Sequence, residues 1–177
     1  PKGCLDETDL LRLDTGSGEV LEATPGRRPS AEAVIHRTVY GLFPSAGACL
    51  HVHTVEACLA TARLPSQAAD VALPPLEMLK GLGIWEPAPK VDLPLFPNLA
   101  EVPAIAERIQ TRFSESPPAV NALLIRDHGL TVWGETLQAA YDSMNTGRFA
   151  FVDQNGHGFR YNMSVGDGSI VIGHAQS

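Results

Sequence analysis

The chain has 177 residues, enough for one ordinary domain that buries about two-thirds of its unfolded surface around a single core. Hydrophobic residues make up 44% and charged residues 19%, which excludes wholesale disorder and a collagen-like repeat. Lys+Arg 13 against Asp+Glu 20 gives a net charge of -7; with no basic stripe interleaved with aromatics, a broad nucleic-acid surface is disfavoured, though a local phosphate pocket is not. Cys4, Cys49 and Cys58 are odd in number, lack metal-type pair spacing and follow no charged-then-apolar leader, so a reducing cytoplasm is expected. No apolar run approaches the roughly 18 to 20 residues of a membrane span.

Asp9 to Asp14 (DLLRLD) reads as a strand, Thr15-Gly16-Ser17-Gly18 as a turn and Pro25 to Pro29 as a loop. From Ser30, SAEAVIHRTVYGLF sets Ile35, Val39 and Leu42 close to i, i+4 and i+7, one apolar face of a helix with Ser30 as N-cap. ACLHVHT, residues 48 to 54, alternates Leu50 and Val52 with Cys49, His51 and His53, a strand with both histidines on one face. A small-residue helix over Glu56 to Ala62 ends ahead of Pro65, and LEMLKGL, residues 76 to 82, predicts a short helix. The prolines from Pro87 to Pro97 predict an extended, meandering connection. Asn98 opens a helix with Ile105, Ile109 and Phe113 on one face, stopped by Pro117 and Pro118. ALLIRD, residues 122 to 127, is a buried-strand run that delivers His128-Gly129; LTVW is a second strand ending at Gly134; Thr136 starts a helix with Leu137, Ala140, Tyr141 and Met144 on one side. Strands alternating with helices at these lengths predict a layered α/β domain spanning residues 1–177.

The sharpest chemical signal is His51-Val52-His53 at a strand end. Side chains two apart on a strand point the same way, roughly 6.5 to 7 Å apart at the backbone, so both imidazoles can close on one ion. His128 supplies a third imidazole at another strand end, with Gly129 behind it allowing close backbone approach. Three histidines leave an open coordination position, which a catalytic metal needs. The ligand set suits zinc, iron, cobalt or nickel, with zinc (Zn2+) the default, one per chain. Glu77 and Glu32 each read either as ordinary helix carboxylates, solvated or stabilised by a helix dipole, or as a general acid/base in a partly desolvated pocket. His36 reads as a packing residue or a partner behind the ligands, His157 and His174 as loop or strand-end residues, and Trp85 and Trp133 as core or pocket wall.

RPSAE at 28–32, LHVHT at 50–54, LEMLKGLG at 76–83, PLFPN at 94–98 and IRDHGLTVWGETLQAA at 125–140 together resemble the class II aldolase superfamily over most of residues 1 to 143. The combination of LEMLKGLG with PLFPN tips the resemblance from its aldolases towards its methylthioribulose-1-phosphate dehydratases. The resemblance implies an α/β/α domain with a central, mostly antiparallel sheet, zinc on His51, His53 and His128, and Glu77 as the acid/base residue of the dehydratase branch. Glu32 falls where the aldolase branch carries its catalytic carboxylate. The implied activity is metal-dependent loss of water from a small ketose phosphate, the implied assembly a homotetramer with sites near subunit interfaces. The rival readings are a zinc aldolase or epimerase with Glu32 as its working carboxylate, and a non-catalytic metal-binding scaffold.

Residues 144–177 resemble the segment that comes first in this family, ahead of the part beginning PKGCLDETDLLRLD. Reading GSIVIGHAQS into PKGCLDETDLLRLD restores the family's strand, loop and strand, so a circularly permuted order is expected, with Met144 the former start and the family's long last helix cut short after Ala139-Ala140-Tyr141. Asn162 and Ser164 in YNMS match the asparagine and serine of the family's phosphate loop, but Phe159-Arg160-Tyr161 replaces the small residues that precede them. Ser30, Ser177 and Lys2 are further phosphate candidates; backbone N–H groups and hydroxyls can hold a phosphate despite an acidic surface.

Overall fold

The computed structural model describes residues 7–62, 64–73, 77–149, 160–165 and 169–173. His157, His174, Ser177 and Lys2 lie outside them. A short 3-10 turn (Glu7–Asp9) leads into β1 (Leu10–Asp14) and β2 (Val20–Glu22), followed by α1 (Ala33–Leu42), β3 (Ala48–His53), α2 (Val55–Ala62) and β4 (Asp70–Leu73). A 3-10 helix over Glu77–Leu82 precedes β5 (Val91–Phe96), α3 (Val102–Glu115), β6 (Ala122–Ile125), β7 (Gly129–Gly134), α4 (Leu137–Phe149), β8 (Arg160–Val165) and β9 (Ser169–Gly173).

Six strands form the central sheet in the order β4-β5-β6-β7-β3-β8, and only β5 and β6 run parallel. A second sheet, β2-β1-β9, is antiparallel throughout. Period-two alternation sends β3 into both layers. Leu50 and Val52 join Leu124, Val132, Ala140, Met144 and Leu79 on one face. Cys49 joins Ile35, Val39, Ile105, Ile109, Phe113, Leu123, Ile125 and Trp133 on the other, under α1 and α3. Helices on both faces of a mostly antiparallel sheet make the expected α/β/α sandwich.

Several local expectations change. The helix after Ser30 starts at Ala33 with Glu32, not Ser30, at its N-cap, and Glu32 makes no side-chain cap hydrogen bond. Ser30 instead closes the preceding turn, its carbonyl accepting from Ala33 N–H and its hydroxyl from Glu32 N–H. The proline-rich connection ends in a genuine sheet strand: Pro94 of β5 stands opposite Asp70 of β4, while β6 pairs only with Leu95 and Phe96, so the missing proline N–H costs no bond on that side. Short β4 and β2 carry too few residues for period two to stand out. The helix expected from Asn98 begins at Val102, with Glu101 as N-cap. α4 runs through Met144, and Ala140 and Met144 are buried while Leu137 and Tyr141 stay exposed. Trp133 is core, but Trp85 is 71% exposed, its ring 5.8 Å from Lys80 Nζ, lining a shallow recess with Glu77. No helix among the described residues is long and apolar enough to cross a membrane.

Candidate metal centre

The sheet's register brings the expected histidines together. β3 and β7 pair antiparallel with Val52 opposite Leu130 and His51 opposite Thr131. The end of β3 therefore lies beside the start of β7, where His128 sits. A Cβ on Gly129 would clash with the Val52 carbonyl oxygen, so only glycine lets β7 start this close to β3. The turn before it is unusual: Asp127 takes a positive φ of 51°, held by its N–H donating to Thr61 Oγ1 at 3.0 Å. The Arg126 guanidinium donates to the carbonyls of Thr61, Leu64, Pro65 and Ala68, which ties the turn to the loop after α2.

The rings of His51, His53 and His128 stand 4.5 to 5.2 Å apart, centroid to centroid. Their Nε2 atoms converge on Glu32 Oε1, at 2.8 Å from His53, 2.8 Å from His128 and 3.4 Å from His51. Glu32 reaches this point because α1 begins directly beneath the β3 end, so its carboxylate turns to the imidazoles rather than capping its own helix. One ligand atom from each of the four residues lies within 4.8 Å of every other.

The residues present fit a divalent cation. His51 Nε2 is a buried polar atom with no hydrogen-bond partner, although it faces the cluster. His53 and His128 point Nε2 atoms at each other across 3.0 Å, close enough for both to reach one cation placed beside them. Asn98 Oδ1, an acceptor, lies 3.2 Å from His128 Nδ1, a partner that holds a ring proton on Nδ1 and lets Nε2 give its lone pair to a cation when one is bound. Three neutral imidazoles with one carboxylate form a donor set of the borderline type that zinc and its neighbours accept.

Charge follows burial and contact. Burial pushes the Glu32 carboxyl up, but the imidazoles of His128, His51 and His53 outweigh it and hold the group well below the usual carboxylate range. Burial pulls His51 down, partly offset by Glu32, and pushes the wholly enclosed His36 down to about 3. Cys49 is raised by burial alone, an inert core thiol.

Glu77 is not brought to this cluster. It opens the 3-10 helix, its side chain 84% exposed and paired with Lys80. Ser30 adjoins the centre through Glu32: its Oγ lies 3.5 Å from Glu32 Oε2. On β8 the register sets Asn162 opposite His51 and Ser164 opposite Cys49. Thr131 and Asn98, the partners of two of the converging rings, escaped the sequence reading. Thr131 was detectable in principle, because any residue paired across the sheet from His51 shares its face. Asn98 had only its place in PLFPN.

The family model described as Class II Aldolase and Adducin N-terminal domain matches residues 1–151. A methylthioribulose-1-phosphate dehydratase of Microcystis aeruginosa is 48% identical over 151 residues, 85% of this chain and 72% of its own. A protein of the same name from Leptospira biflexa is 39% identical over 142 residues, covering 78% of this chain and 68% of its own. Among solved structures, YgbL of Klebsiella pneumoniae, titled a putative aldolase/epimerase/decarboxylase, superposes with a TM-score of 0.64 at 25% identity, over 90% of this chain and 72% of that one. An L-fuculose 1-phosphate aldolase superposes with a TM-score of 0.61 at 20% identity, over 82% and 60%, a likeness of fold alone.

Proposed function

Because the chain belongs to the class II aldolase family, we propose that it is a hydro-lyase converting 5-methylthioribulose 1-phosphate to 2,3-diketo-5-methylthiopentyl 1-phosphate, a step of methionine salvage. The substrate assignment is supported by the names of relatives up to 48% identical. The observation that carries the chemistry is the convergence of the Nε2 atoms of His51, His53 and His128 at Glu32 Oε1.

In this reading His51, His53 and His128 hold one zinc ion per chain. Bound there, zinc supplies Lewis acidity that polarises a carbonyl and acidifies the adjacent C–H. The β3 and β7 strand ends fix the imidazoles, so little reorganisation accompanies substrate binding. Glu77 moves the proton from carbon to the departing hydroxyl, which leaves as water, and the enol formed tautomerises to the diketone. Exposed on its 3-10 helix, Glu77 is brought to a centre by assembly of the chains, a homotetramer with sites near subunit interfaces. Ser30 beside Glu32, with Asn162 and Ser164 on the strand next to β3, receives the phosphate. The protein works in the cytoplasm. The segment order is permuted, a reading supported by β9 lying antiparallel beside β1 with Gly173 opposite Leu10.

A second reading is favoured by the carboxylate actually at the centre, Glu32: aldol cleavage or epimerisation of a sugar phosphate. Incubation with 5-methylthioribulose 1-phosphate followed by mass analysis separates the two. Loss of one water supports dehydration; two smaller fragments support retro-aldol cleavage; bound metal without turnover of any ketose phosphate indicates a non-catalytic scaffold and overturns both.

A further inference from the structure

His51 and Thr131 face each other across the β3–β7 ladder, both wholly buried. His51 Nδ1 lies 2.7 Å from Thr131 Oγ1, and its Nε2 faces the cluster, 3.4 Å from Glu32 Oε1. A neutral imidazole has one N–H and one lone pair, so whichever nitrogen Thr131 engages decides what the other offers. The contrast with His128 is informative. Asn98 Oδ1 can only accept, which fixes the proton on His128 Nδ1. A threonine hydroxyl both donates and accepts, so it can serve either tautomer of His51 without moving.

We infer that Thr131 is a positioning residue that keeps the buried Nδ1 of His51 paired in whichever tautomer the cluster requires. Its hydroxyl accepts from Nδ1–H when Nε2 gives its lone pair to a cation, and donates to a bare Nδ1 when Nε2 keeps the proton and faces Glu32. With no solvent at this contact, deleting the hydroxyl leaves a buried ring nitrogen unpaired, and such partners behind metal ligands typically govern about 10- to 100-fold of metal affinity. The inference rests on the metal-centre reading above and adds a residue to it.

The test compares wild type with Thr131→Val, which keeps the volume and loses the hydroxyl, and Thr131→Ser, which keeps the hydroxyl. Each is titrated with Co2+, read by its visible absorption, and with Zn2+ against a competing chelator. Thr131→Val should bind about 10- to 100-fold more weakly, and Thr131→Ser should stay close to wild type. Wild-type affinity in Thr131→Val, or an equal loss in Thr131→Ser, overturns the inference. If the wild type itself binds neither ion, the metal-centre reading falls and this inference with it. Should Thr131→Val fail to fold, long-range proton–nitrogen NMR of the wild-type histidines decides instead. His51 Nδ1 should be protonated in the zinc-loaded chain, and an unprotonated Nδ1 there overturns the assignment.

Discussion

The two carboxylates singled out as acid/base candidates occupy opposite circumstances. Glu32 is nearly buried at the first turn of α1, its oxygen within 2.8 Å of two imidazoles, and its neighbours are set by the paired ends of β3 and β7. Glu77 opens a short 3-10 helix, lies almost wholly in solvent and pairs with Lys80 across one turn. The four converging side chains are therefore assembled within one chain, while Glu77 is left apart from them. The geometry of the cluster is written into strand register; a residue on an exposed short helix has no such frame, and in the proposed reading a neighbouring copy supplies it.

That contrast can be broken by substitution. Replacing His53 with Ala removes one of the converging nitrogens and should abolish stable metal binding, with turnover falling at least about 10³-fold, since a lost Lewis acid forfeits several kcal/mol of transition-state stabilisation. Metal analysis of the purified variant beside its kcat would check this, and full metal content would remove His53 from the ligand set. Glu77→Gln should behave differently, keeping its metal while kcat drops by about 10²- to 10⁴-fold, as expected for loss of positioned proton transfer. Were Glu77→Gln fully active and Glu32→Gln inactive with metal retained, the working carboxylate would be Glu32, and the second reading would displace the first.

A smaller effect sharpens the picture of the buried side. His36 has an ordinary value of 6.5 and is pushed down to about 3 by burial, so between those pH values the unfolded chain binds a proton that the folded chain refuses. Stability contributed by the neutral ring is thus fully present above the unfolded value and lost as pH falls from 6.5 towards 3. At pH 5 the loss is about 2 kcal/mol. Urea unfolding of the metal-free protein at pH 7 and pH 5 would show it, and His36→Gln should flatten the difference; an unchanged slope would dissociate His36 from the pH dependence. On the exposed side the expectation is near zero. Trp85→Ala should alter the stability of the isolated chain by no more than about 0.5 kcal/mol, the usual range for surface changes. A large loss in chemical denaturation would mean that the Lys80–Trp85 face is held more firmly than its exposure implies.

The histidine constellation could be read from the sequence because it depends on two robust regularities. Period two puts His51 and His53 on one face, and a strand ending at His128-Gly129 gives a second approach to the same sheet edge. The arrival of Glu32 was legible only through the family resemblance and not through spacing, since it depends on where α1 docks against β3. An N-terminal carboxylate ordinarily signals nothing more than a favourable helix dipole. β5 was hidden for a related reason: Pro94 argues against a strand until one knows that its partners leave the proline nitrogen unneeded. Trp85 reads as core or pocket wall because large aromatics usually are one or the other; it is 71% exposed and lines a recess with Pro87 and Pro89 in the loop from Gly83 to Pro89.

The most direct test of the centre is turnover of 5-methylthioribulose 1-phosphate before and after metal is stripped by a chelator, with zinc then returned in measured amounts. Water loss that stops on stripping and recovers fully at one equivalent of zinc per chain is the expected result. Turnover that continues undiminished in demonstrably metal-free protein would contradict a catalytic role for His51, His53 and His128.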